Sequence, residues 1–225
     1  MDPNSTLPPE NSSSHAEPDI MASSGKPVQV ASYLQEGWKL FIANPGQPIV
    51  YTLVLLILHW IPQVGPLVAA LLWGPLIAGY YIALRKQVFG EPVRFSDYLQ
   101  GFNNPAPLVL VGVVGNLLIG IGTVLLVLPG IYLAVSYLFS ILLVVDRHLD
   151  FWTALETSRK FITRQWLLYF VLALILFALN AVGALLFHIG LLLTLPFSTA
   201  TVLAAYHNLI GLQVPAQTLP APPIP

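Results

Sequence analysis

Three tracts of this chain contain no Asp, Glu, Lys or Arg: Leu40–Leu84, Tyr98–Val145 and Gln165–Pro225. Each is long enough for two membrane crossings of ~20 residues. Charged residues are 8% and hydrophobic residues 56% of the 225, against ~25% charged in soluble domains. A soluble fold of this size has no interior large enough for so much apolar surface. The reading is an all-α integral membrane protein with six transmembrane helices, arranged as three antiparallel hairpins. Each hairpin is preceded by an amphipathic interfacial helix on the cytoplasmic side.

Taken in order, residues 1–27 are rich in Pro, Ser and Asn and read as a disordered tail with no signal-peptide core. The membrane domain covers 28–212, and 213–225 is a Pro-rich, disordered tail. In Val28–Ala43, Val30, Tyr33, Leu34, Trp38, Phe41 and Ile42 share a face. That spacing predicts a helix lying in the headgroup plane, or alternatively a short core helix packed on the bundle. Glu91–Asn104 holds a second such piece, with Ser96 as N-cap and Phe95, Tyr98, Leu99 and Phe102 on one face. Asp150–Arg164 holds the third. Its cap is Asp150, or Thr153 with Glu156 as a capping box, and its stripe is Phe151, Leu155 and Ile162.

The spans are expected near Gly46–Ile61, Pro66–Leu84, Pro107–Val127, Gly130–Val145, Trp166–Leu186 and Leu191–Ile210. The connecting turns are Pro62–Gly65, Pro129-Gly130 and His188–Gly190. Ala70, Gly74 and Ala78 recur every fourth residue, a spacing that lets a second backbone approach closely. Pro75, Pro129 and Pro196 occupy related places, followed by Tyr80/Tyr81, Tyr137 and Tyr206, so the unit repeats loosely three times. Any six-span protein with short hairpins would also look this way. All nine cations (Lys26, Lys39, Arg85, Lys86, Arg94, Arg147, Arg159, Lys160 and Arg164) fall on one side of the expected spans. By the positive-inside rule that side, with both termini, is cytoplasmic.

The stretch PGIYLAVSYLFSILLVVDR, followed by Ala154-Leu155-Glu156-Thr157-Ser158, a basic turn and Trp166, resembles a loose family of bacterial six-span proteins. The family includes the YciC-like inner-membrane proteins and the membrane domain fused to some glycerophosphodiester phosphodiesterases. Glu36–Phe41 and Gly190–Tyr206 also fit, so the resemblance spans about Tyr33–Leu209. It implies residence in a bacterial cytoplasmic (inner) membrane. In the fused proteins catalysis belongs to a separate soluble domain, so no functional residues carry over.

Candidate chemistry is sparse. The net charge of −1 argues against a nucleic-acid partner. The absence of cysteine removes thiolate catalysis and thiolate metal sites. No nucleotide, hydrolase or metalloprotease fingerprint occurs, so the reading is a non-enzyme with no cofactor and no metal. His59 and His188 could meet near the non-cytoplasmic face, but two imidazoles make a poor zinc site. Asn116 and Asn180, at mid-span, could line a polar path or simply hydrogen-bond across helices. Arg147, Arg159, Lys160 and Arg164 are candidates for binding anionic lipid headgroups. Their bland alternative is topology-setting charge, with local pairing of Asp146 to Arg147 and of Glu156 to Arg159. The expected function is to organise lipids or partner proteins at the cytoplasmic leaflet, with membrane lipids, a membrane-protein partner or a second copy of the chain as partners. A small transporter or permease-like channel for a neutral or amphipathic solute is the alternative, suggested by spans broken by Gly and Pro.

Overall fold

A computed structural model describes residue 18 and residues 20–61, 65, 71–186 and 188–214. The expected turn residues 62–64, the first member of the small-residue repeat, Ala70, and most of both tails lie outside the described residues. All regular structure among the described residues is helical. The α-helices are α1 (Val30–Ala43), α2 (Gly46–Trp60), α3 (Trp73–Val88), α4 (Pro105–Leu125), α5 (Val127–Ser136), α6 (Ser140–Arg147), α7 (Phe151–Thr163), α8 (Trp166–Leu185) and α9 (Leu191–Leu209). A 3-10 helix occupies Phe95–Phe102.

Among the described residues, three segments are long and apolar enough to cross a membrane: Pro105–Leu125, Val127–Arg147 and Trp166–Leu185. A fourth arises if α1 and α2, whose axes meet at 92°, are taken as one bent span. Only 22% of α4 and of α8 is buried inside the protein. They turn Leu117, Ile121, Leu167 and Phe177 outward, an apolar surface that suits lipid rather than water. α9 is less apolar, because Ser198, Thr199 and Thr201 face the protein interior and its end reads Tyr206-His207-Asn208.

α3, α6 and α9 are the inner helices. Tyr80, Leu142, Leu143, Ala200, Leu203 and Tyr206 are each at most 1% exposed. Phe139, just before α6, sits at the centre with Phe161, Tyr169 and Tyr206 around it at ring distances of 5.7–6.1 Å.

The three short amphipathic elements each pack on other helices of the protein. Each runs antiparallel along an inner helix of a different unit. α1 lies along α9, with Gly37 on Thr201 and Trp38 on Phe197. The 3-10 helix lies along α3, with Tyr98 on Gly79 and Gly101 on Pro75. α7 lies along α5 and α6: Ser158 Oγ donates to Ser136 O at 2.7 Å, and Thr163 pairs with the Tyr132 hydroxyl at 2.6 Å. The second element thus seats on the inner helix of the first unit, the third on that of the second, and the first on that of the third. The arrangement closes as a ring. Part of each expected stripe is thereby buried in protein, with Tyr33, Phe41, Tyr98, Leu155 and Ile162 at most 5% exposed, while Trp38, Ile42, Phe95, Leu99 and Phe102 of the first two stripes stay exposed.

Local chemistry explains other departures. The second element is a 3-10 rather than an α-helix, because 3-10 geometry stacks residues three apart and so turns Tyr98 and Gly101 to the same side of the coil. Its N-terminus is held by Asp97, not Ser96: the Arg94 amide donates to Asp97 Oδ2 at 2.8 Å, and Lys86 Nζ reaches Oδ1 at 2.7 Å. The turn expected at Pro129-Gly130 falls instead at Leu126 (φ −157°, ψ 135°). Pro129 then lies in the first turn of α5, where a missing N–H costs nothing. Asp150 caps α7, accepting from the Trp152 and Thr153 amides at 3.0 and 3.1 Å. The N-terminal tail also ends earlier than residue 27. Ile20 is buried, Ser23–Gly25 form a single 3-10 turn, and Gln165 Nε2 donates to Lys26 O at 2.7 Å.

Asp97 carries a pH prediction. Burial works to raise its pKa, but the Lys86 ammonium and the Arg94 amide outweigh it and hold the carboxyl below the usual carboxylate range. A lowered folded pKa contributes stability above the unfolded value and loses it as pH falls through the folded one. Protection of the 3-10 helix amides, taken relative to their intrinsic exchange rates, should therefore be high at neutral pH and fall below about pH 4. Asp97→Asn should remove that acid step; an unchanged acid profile in this variant would show that another group is responsible.

Candidate functional site: a buried carboxylate where three helices end

The inner helices end together, and each brings a polar residue to the same place. α3 ends with Arg85, α6 with Asp146 and Arg147, and α9 with Tyr206. Asp146 is wholly buried. A carboxylate without water must be paired and hydrogen-bonded to be tolerated, and this one is surrounded by donors. Arg147 Nε donates to Oδ2 at 3.1 Å and the Tyr206 hydroxyl donates to Oδ2 at 3.0 Å. The Gln213 amide donates to Oδ1 at 3.0 Å. Arg85 Nε faces Oδ1 at 3.4 Å.

The same arginines hold the chain beyond α9. Arg147 Nη2 donates to Gly211 O at 2.8 Å and Arg85 Nη2 to Gln213 O at 2.9 Å. Gly211 takes φ +86°, a left-handed turn that suits glycine and folds residues 211–213 back across the helix ends. The cluster holds two guanidinium groups and one carboxylate, so it carries an excess of one positive charge.

Beside it, between α3, the 3-10 helix and the start of α4, lies a cleft of about 240 Å³. Arg85, Asn103, Asn104 and His148 line its polar side, and Ile82, Leu108 and Val144 its apolar side. No family model, characterised protein or solved structure matches this chain. What the site can do therefore follows from its own chemistry. It presents fixed cations and amide groups at the edge of apolar surface, without a nucleophile–base pair.

The residues singled out from sequence fall in several places. Arg147 belongs to the Asp146 cluster. Arg159 is twelve residues further along the chain, on α7, beside Tyr132 and hydrogen-bonded twice to Glu156 at 2.9 and 2.6 Å. The Arg159 guanidinium holds the Glu156 carboxyl below its ordinary range. Lys160 Nζ lies 3.9 Å from the same carboxylate, and Arg164 stands at the C-cap of α7. Arg147 ends α6 and Arg159 lies beside Tyr132 in the middle of α5, so the two do not share a site. Asn180 Nδ2 donates to Ser198 Oγ at 2.7 Å across α8 and α9 and to Leu176 O at 2.8 Å, the helix-linking arrangement. Asn116 is exposed on α4, lining a shallow groove with Tyr137 and Leu155. The ends of α2 and α8 do meet, through a Trp60–His188 ring contact at 5.5 Å rather than through His59.

Arg85 and Tyr206 escaped the sequence reading. The signal that could have found them is the repeat: polar residues follow the tyrosines at the end of every second helix, as Arg85, Asp146-Arg147 and His207-Asn208.

Proposed function

We propose that the chain is a non-catalytic six-span protein of a bacterial inner membrane, built as three hairpins and belonging with the YciC-like proteins it resembles. Its termini and short helices face the cytoplasm, and it organises lipids, or a partner protein, at that leaflet. The observation that supports this reading is that each short element keeps large apolar side chains exposed beside those it buries. α1 buries Tyr33 and Phe41 but leaves Trp38 52% exposed, the 3-10 helix leaves Leu99 49% exposed, and α7 leaves Trp152 55% exposed. Large apolar and aromatic side chains beside Lys39, Arg94 and Arg159 are the composition of a membrane boundary.

Extraction in native membrane nanodiscs, followed by mass spectrometry of bound lipids and proteins, tests the proposal. The wild-type protein should retain one lipid class, or one protein partner, in excess over the bulk membrane. An Ile42→Ser/Leu99→Ser/Trp152→Ser variant should lose that excess while melting close to the wild type, since all three side chains are about half exposed. A wild-type sample with bulk lipid composition and no stoichiometric partner would end this reading.

A further inference from the structure

We infer that the cleft between α3, the 3-10 helix, α4 and α6 binds the phosphate group of an anionic phospholipid. The inference rests on the lipid-organising function proposed above and gives it a site. The first argument is charge. Asp146 is shared by Arg85 and Arg147, so one positive charge is left over, and Arg85 is the member that lines the cleft. Among the described residues no carboxylate lines the cleft, and Asp97 of the adjacent 3-10 helix is occupied by Lys86 at 2.7 Å and by Gln100 Nε2 at 2.7 Å.

The second argument is preorganisation. Arg85 is fixed by Asp146 on one side and by the Gln213 carbonyl on the other. The side chain is therefore held in place beside the cleft before any ligand arrives, which removes part of the ordering cost of binding. Guanidinium groups match phosphate oxygens in geometry as well as charge.

The third argument is the opposite wall. α4, a helix of 21 residues, begins there, and the Asn104 side chain at its N-cap makes no capping hydrogen bond. Pro105 and Pro107 have no N–H, so Ala106 carries the free amide of the first turn, Leu108 being placed to bond back to the Asn104 carbonyl. A helix start carries partial positive charge and favours an anion. Asn103 and Asn104 add amide groups at the same rim.

The last argument is polarity. Ile82, Leu108 and Val144 continue the cleft as an aliphatic surface, which suits the glycerol and first methylenes of a lipid better than a fully hydrated ion.

Native mass spectrometry of the full chain in phosphatidylcholine nanodiscs, doped with phosphatidylglycerol, tests the site. Wild type should carry phosphatidylglycerol adducts that millimolar inorganic phosphate does not displace. Asn103→Asp/Asn104→Asp places negative charge at the rim and leaves the Asp146 cluster intact. It should weaken the adducts at least about tenfold, the loss of one charge-assisted contact. Arg85→Gln should do the same and Arg85→Lys less; should Arg85→Gln fail to fold, the asparagine pair decides. Displacement by inorganic phosphate would assign the site to a soluble phosphate compound and overturn the lipid assignment. Adducts unchanged in the asparagine and glutamine variants would overturn the site while leaving lipid binding elsewhere, and the proposed function, standing. No phosphatidylglycerol adduct on wild type would overturn the inference, and with bulk lipid composition in the native nanodiscs the proposed function would fall too.

Discussion

Asp146→Ala should destabilise the protein by about 3 kcal/mol, the lower end of the cost of breaking a buried ion pair by removing one partner. The lower end applies because the Arg85 and Arg147 side chains are 23% and 15% exposed and keep some water. The variant leaves two guanidinium groups facing each other with no carboxylate, removes the acceptor of Tyr206, and frees the Gln213 amide. Asp146→Asn should cost less, because an acceptor remains for Tyr206 while the charge is lost. Unfolding by SDS titration from a mild detergent measures the difference. Hydrogen exchange should locate it, with residues 211–213 deprotected first, since both arginines and Asp146 hold that segment. If Asp146→Ala unfolds with the wild type, the cluster does not join the three helix ends and the argument for a fixed Arg85 fails with it.

The second large effect is expected at Gly37. A Cβ added there would come within 2.6 Å of the Thr201 Cα, a backbone atom that no rotamer change can move. Gly37→Ala must push α1 away from α9 along the whole contact, which includes Tyr33 and Phe41. Overpacking of this kind costs about 1–3 kcal/mol, and the upper figure is expected because backbone meets backbone. Gly46, the first residue of α2, provides the comparison. A Cβ there meets nothing within 4 Å, so Gly46→Ala should be neutral or stabilise by up to about 1 kcal/mol. Melting temperatures of the two variants in the same detergent should therefore move in different directions or by clearly different amounts. Equal shifts would mean that α1 does not seat on α9 as described.

These two sites show what the sequence carried and what it did not. The third, fourth and fifth expected spans are present as long apolar helices because continuous Leu, Ile and Val is a one-dimensional signal. Asp150 was legible as a cap because a cap acts within three residues. The stripe on α1 was legible as a face, but a period of 3.6 residues says only that a face is apolar, not what covers it. Its partner is 172 residues away at the Glu36–Asn208 contact. Likewise Asp146-Arg147 looked like a local pair because the two are adjacent, whereas Tyr206 joins them from 60 residues away and Arg85 from another helix. The 3-10 form of Phe95–Phe102 was hidden for a related reason. Its tight coil answers to the glycine at position 79, which lies on another element.

The ring closure of the short helices has a consequence for the order in which the molecule is made. α1 leaves the ribosome early, and the helix it seats on is synthesised on the order of 10–30 s later at ordinary translation rates. The 3-10 helix and α7, by contrast, emerge after the helices that receive them. For that interval Tyr33, Gly37 and Phe41 have no protein surface to cover them, and the boundary between headgroups and acyl chains is the place an amphipathic helix occupies. The stripe on α1 is thus the last of the three to find its protein cover, Thr201 arriving only with α9.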